Sequence, residues 1–60
     1  MKYNELYRKL RKAGCLLLLH GKRHDIWSNP RNGKIIEVPR HGTQEVPLGT
    51  LKTIYQELGL

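Results

Sequence analysis

His24-Asp25-Ile26-Trp27-Ser28-Asn29-Pro30-Arg31-Asn32-Gly33-Lys34-Ile35-Ile36-Glu37-Val38-Pro39 consists of two β-forming runs separated by a cluster of turn residues. Ile, Trp and Val suit a pleated backbone, and Asn-Gly between such runs is the strongest short hairpin signal. Residues 24–29 and 34–38 therefore read as antiparallel strands. Pro39 cannot donate to a ladder and ends the second strand.

Upstream of this hairpin lies the apolar run Cys15-Leu16-Leu17-Leu18-Leu19-His20, bounded by Gly14 and Gly21. It is too short for a helix and reads as a buried strand. Before it, Tyr3, Leu6, Tyr7 and Leu10 recur at i, i+3, i+4, i+7, the stripe of an amphipathic helix, with Arg8, Lys9, Arg11 and Lys12 on its solvated face. Asn4 is placed to cap the start of that helix, and Gly14 to supply the left-handed stop. Downstream, residues 40–47 read as a polar loop. Leu51, Ile54, Tyr55 and Leu58 repeat the helical stripe, opened by Thr50 as a cap or one turn earlier by Pro47, and closed by Gly59.

The element order is thus α-β-β-β-α. Three consecutive strands with short connections form an antiparallel meander, and one face of it can receive both apolar stripes. The expected fold is α+β, a three-stranded antiparallel sheet with two helices on one face, as one domain over residues 1–60. The other face is left to solvent or to a partner.

Sixty residues leave room for only a small core, so a ligand must meet the surface or a shallow groove. Eleven Lys and Arg against five Asp and Glu give a net charge of +6, which favours a polyanion or an acidic protein as partner. The single Cys15 cannot form an internal disulfide, which suits a reducing compartment. The apolar run 15–19 is too short to span a bilayer, and the charged segment before it is unlike a secretory signal. A cytoplasmic location is expected.

Chemistry concentrates in residues 20–41. Lys22, Arg23, Arg31, Lys34 and Arg40 face only Asp25 and Glu37, with three histidines and Trp27 interleaved, a mixture that suits a polyanion. His24 follows Lys22-Arg23 at the entry of a strand. Imidazole is the side chain that ordinarily changes charge near neutral pH, so a histidine beside fixed cations can move protons at a phosphodiester. Asp25 cannot orient it, because adjacent strand residues point to opposite faces. Asp25 instead reads as a partner for a cross-strand Lys or Arg, or as a solvated residue. His41, with Arg40 at the exit of the third strand, comes back towards His24 through the hairpin and offers a second acid–base group. His20, His24 and Cys15 lack the further ligands of a zinc site, so neither metal nor cofactor is expected. Cys15 and Trp27 read as core residues rather than as a nucleophile and a base-stacking platform.

These segments together resemble the HicA toxin family, the ribonuclease half of a bacterial or archaeal toxin–antitoxin pair. The resemblance runs through a first helix ending in Gly14, Gly21 leading to His24 and an apolar-aromatic strand, Val38-Pro39 followed by His41, and Gly49-Thr50-Leu51 opening a helix that ends at Gly59-Leu60. It implies a double-stranded-RNA-binding-like fold, cleavage of mRNA dependent on one histidine at the start of strand two, and a HicB-type antitoxin that covers the site. Family members often carry Gly-Ser-His or a histidine run where this chain has Gly21-Lys22-Arg23-His24, and a tryptophan near Cys15. Counting from Gly21 would place Arg23 at the catalytic position and counting back from Trp27 places His24 there; His24 is preferred, because an arginine is permanently protonated and cannot act as a base. Lys22, Arg23, Lys34, Arg40 and His41 are the expected RNA contacts. The alternative is a non-catalytic RNA-binding module of the same fold, and a third class is a basic interaction domain that meets an acidic protein.

Overall fold

The computed structural model describes residues 1–60. Helix α1 spans Tyr3–Lys12, strands β1, β2 and β3 span Leu16–His20, His24–Asn29 and Lys34–Pro39, and helix α2 spans Leu48–Glu57. The strands form one open sheet in the order β1-β2-β3, each neighbour antiparallel. The α-β-β-β-α order read from periodicity is the order observed.

Local chemistry sets each boundary. The β2–β3 ladder ends at the Asn29–Lys34 pair, so the hairpin loop is Pro30 to Gly33, longer than the two-residue turn that Asn-Gly signals. Asn29 organises it: its carbonyl accepts from Gly33 N at 2.8 Å, and its side-chain oxygen from Arg31 N at 3.1 Å. Both helices end in the same device. At α1, Cys15 N reaches Leu10 O at 2.9 Å and Gly14 N reaches Arg11 O at 3.0 Å, with Gly14 at φ +91°. At α2, Leu60 N reaches Tyr55 O at 2.8 Å and Gly59 N reaches Gln56 O at 3.0 Å, with Gly59 at φ +71°. These paired bonds satisfy carbonyls that a helix end leaves free, and the left-handed turn they need favours glycine.

The helix starts depart from simple capping. Asn4 does not cap α1, because the helix already begins at Tyr3. The free amides of Tyr3 and Asn4 instead donate to the carbonyls of Gln44 and Gly42, at 3.0 and 2.9 Å, so the 40–47 loop closes the helix. Of the two starts open for α2, Pro47 holds: it takes the cap position, and Thr50 lies inside the first turn.

Asp25, Trp27 and Asn29 of β2 are buried under the helices, while His24, Ile26 and Ser28 alternate to the open face. The core joins Tyr3, Leu6 and Leu10 of α1 with Trp27, Val38, and Ile54 and Leu58 at α2, closed by Cys15 and Val46. Trp27 is its centre. Its ring stacks on Tyr7 with centroids 6.1 Å apart, and the Arg11 guanidinium lies 5.2 Å from it. Asn29 Nδ2 donates to Leu58 O at 2.7 Å, tying the hairpin to the end of α2. Trp27 and Cys15 are thus core residues, as expected.

Strand β1 is not the buried strand its composition implies. Leu16, Leu18 and Leu19 are about three-fifths exposed, at 58%, 61% and 62%, and Leu17 is 38% exposed. A bulge between Leu17 and Leu19 leaves Leu18 without a partner on β2, and Leu16 and Leu19 fall opposite Ser28 and Ile26 on the open face. Two ten-residue helices cover β2 and the inner side of β3, and their apolar stripes do not extend over this edge.

Trp27→Ala is expected to cost about 3–5 kcal/mol, enough to unfold much of so small a domain. Leu18→Lys, by contrast, stays within about 0.5 kcal/mol of the parent. Urea titrations followed by circular dichroism check both. Burial pushes the Cys15 thiol above its ordinary 9.0 and the Tyr7 phenol above its ordinary 10.0. The unfolded chain therefore releases these protons first. Their contribution is complete below pH 9 and is lost as pH rises through the folded values. Stability is expected to decline in the alkaline range, and less steeply in Cys15→Ala, by the same titrations run from pH 8 to 11.

Candidate active site

Turn residues Gly21 to Arg23 deliver His24 into β2, closed by Gly21 N donating to His24 O at 3.0 Å. The antiparallel register sets His24 opposite Pro39, and Arg40 N continues the ladder to Arg23 O at 3.2 Å. Residues from two distant parts of the sequence therefore meet at one end of the sheet. They enclose a concavity of about 640 Å³ lined by Lys22, Arg23, His24, Arg40 and His41. Lys34 is not brought there. It pairs with Asn29 at the opposite end of β3, about 16 Å away at the rise of an extended strand.

The five side chains are not equivalent. The Arg40 guanidinium faces inward: Nη2 donates to the carbonyls of Gly21 and Lys22, Nη1 lies 2.6 Å from His20 Nε2, and Nε lies 3.4 Å from Asp25 Oδ1. Arg40, one of the expected RNA contacts, is thus engaged with the turn, His20 and Asp25. Lys22 and Arg23 are exposed and lie in no ion pair of the chain. They are the cations left for an anion. His24 is exposed, and the His41 ring sits edge-on to Tyr3 with centroids 5.6 Å apart. Tyr7 Oη donates to Pro39 O at 2.6 Å, fixing the end of β3 against α1.

Beneath the turn, Asp25 keeps only 10% of its side chain exposed and meets both Arg40 and His20, whose Nδ1 is 2.9 Å from Oδ1. A guanidinium has only donors, so at the 2.6 Å contact His20 Nε2 is the acceptor for Arg40. Asp25 does lie on the face away from His24 and does pair with an arginine; the solvated alternative does not hold. His20 is the residue that sequence reasoning missed in this network. Its signal is the His20–Asp25 cross-strand pair, and the bulge in β1 sets that register.

His24 also lines a second groove of about 690 Å³, which runs between β3 and α2 past Glu37, Pro39, Pro47, Thr50 and Thr53. No three His, Cys, Asp or Glu side chains gather in a way that could hold a metal ion. The HicA toxin family model, described as the HicA toxin of bacterial toxin–antitoxin systems, matches residues 3–60.

The chain belongs to the HicA toxin family. No curated protein and no solved structure matches it. The matched span of this HicA toxin includes all five elements and every residue of the basic concavity. Family membership makes the chain the toxin of a toxin–antitoxin pair and implies a cognate antitoxin. No helix is long and apolar enough to cross a membrane.

Asp25→Ala removes the anchor of Arg40 and leaves its charge unpaired. The expected loss is about 1–3 kcal/mol, below that of a fully buried pair because His20 and Arg40 still reach water. Amide hydrogen exchange at residues 21–24 is expected to accelerate in the same variant, more than at Leu6 or Leu10.

Proposed function

We propose that this HicA toxin is a metal-independent endoribonuclease that cleaves mRNA in the cytoplasm and so inhibits translation, with His24 as its catalytic residue. The observation that carries this reading is that the exposed His24 ring shares one concavity with two unpaired cations and a second imidazole. Lys22 and Arg23 hold the phosphodiester and offset the charge that builds on phosphorus in the transition state. His24 takes the proton from the ribose 2′-hydroxyl as O2′ attacks phosphorus. The P–O5′ bond breaks, and His41 donates a proton to the leaving oxygen. The products are a 2′,3′-cyclic phosphate and a free 5′-hydroxyl. Arg40 serves by holding the carbonyls of Gly21 and Lys22, and Lys34 lies too far away to touch the same phosphate.

A HicB-type antitoxin would neutralise this activity by covering the concavity. The basic rim favours an acidic partner surface and fast, salt-sensitive encounter. Because phosphate contacts position RNA without reading its bases, binding is expected to weaken steeply with salt.

The test is incubation of the toxin with end-labelled RNA in EDTA. Wild type is expected to yield cyclic-phosphate fragments with a bell-shaped pH profile. His24→Ala loses at least about 100-fold in rate, the usual scale of acid–base catalysis, and remains folded. His41→Ala loses less and flattens one limb of the profile. RNA that is retarded but intact with the wild type would instead identify a non-catalytic RNA-binding module, and equal rates in wild type and His24→Ala would remove His24 from the chemistry.

A further inference from the structure

We propose that the groove between β3 and α2 is a nucleobase subsite that holds a guanine beside the scissile phosphate, with Glu37 accepting its N1–H and N2–H; this inference rests on the ribonuclease reading. His24 lines both concavities, so an RNA strand with its phosphate in the basic one has a neighbouring nucleoside at the mouth of the other. The two hollows differ in chemistry. The groove has no Lys or Arg in its lining; it presents Pro39, Pro47 and Ile36 as apolar surface, with the hydroxyls of Thr50 and Thr53 beside them. Its volume of about 690 Å³ is within the range that accommodates small ligands. Such a surface packs against a base rather than a phosphate.

Glu37 selects which base. It is exposed and forms no ion pair, in a chain with eleven Lys and Arg. His24 lies opposite Pro39, and Glu37 lies two residues back on the same face of the sheet, so the two side chains are diagonal neighbours. A carboxylate there repels a passing phosphodiester unless it receives donor hydrogens. Guanine alone offers two adjacent donors on its Watson–Crick edge, matching a carboxylate in a bidentate pair. Adenine and cytosine set an amine beside a ring nitrogen lone pair, and uracil sets its N–H between two carbonyls. Thr53 Oγ1 already donates to Gly49 O at 3.0 Å, whereas the Thr50 hydroxyl has no partner in the chain and can donate to guanine O6.

The deciding experiment titrates the toxin with guanosine 3′-monophosphate or uridine 3′-monophosphate, followed by NMR. Guanylate is expected to bind at least about fivefold tighter, the lower end of what a bidentate base contact discriminates, and to shift Glu37 and Thr50 together with Lys22 and Arg23. Glu37→Gln is expected to remove the preference while circular dichroism shows it folded. Equal binding of the two nucleotides, or a guanine preference that survives Glu37→Gln, overturns the subsite. In a parallel cleavage assay on RNAs that differ at one base, wild type is expected to favour guanine beside the cut, and Glu37→Gln to lose that bias. Abolition of cleavage in every context alike would place Glu37 in the chemistry and also overturn the proposal. A wild type that cuts no RNA sinks the ribonuclease reading, while the nucleotide titration still decides the subsite.

Discussion

Asp25 is buried beside Trp27 on the helix-covered face, and a carboxylate in that position has to be paired or it destabilises the fold. Its partners come from both sides of β2: His20 from the end of β1 and Arg40 from just beyond β3. That requirement joins all three strands at one end of the sheet. It also turns the Arg40 guanidinium inward, where Nη2 donates to the carbonyls of Gly21 and Lys22 and Nη1 meets His20 Nε2. The geometry of the candidate active site follows from neutralising this one buried charge.

Charge is thereby divided by role within a few residues. Arg40 and Asp25 are structural and face inward, while Lys22 and Arg23 are held outward on the turn that Arg40 clamps. His24 alternates to the opposite face from Asp25, so it stays exposed although its neighbour is buried. Tyr7 adds a second tie by donating to the Pro39 carbonyl, so helix α1 and this end of the sheet are mechanically joined. A toxin of this size has few residues to support a site, and here the core residues serve as that support.

Much of this was legible in the sequence. Period-3.6 stripes, Gly14 and Gly59 at the helix ends, and the turn cluster at 29–33 all act locally, and each gave the right element. The clustering of Lys22, Arg23, His24, Arg40 and His41 was legible as well, because a hairpin that starts at His24 must return near residue 40. What failed depended on neighbours distant in the chain. Asn4 lost its capping role to carbonyls of the 42–44 loop, and the four leucines of β1 looked buried because composition cannot report how far the two helices reach over the sheet. His20 joins Asp25 only through a bulge, which shifts register without a local signature.

The uncovered leucines of β1 place this toxin in a particular colloidal regime. An open strand edge without proline, lysine or glutamate has little to deter pairing with another chain, and the bulge at Leu18 interrupts that template only partly. Mutual repulsion between copies carrying +6 opposes such pairing. Any polyanion that neutralises the basic rim, whether nucleic acid or an acidic protein, also lowers this barrier. Neutralised complexes of the toxin are therefore drawn towards condensation unless the bound partner also shields the leucine edge.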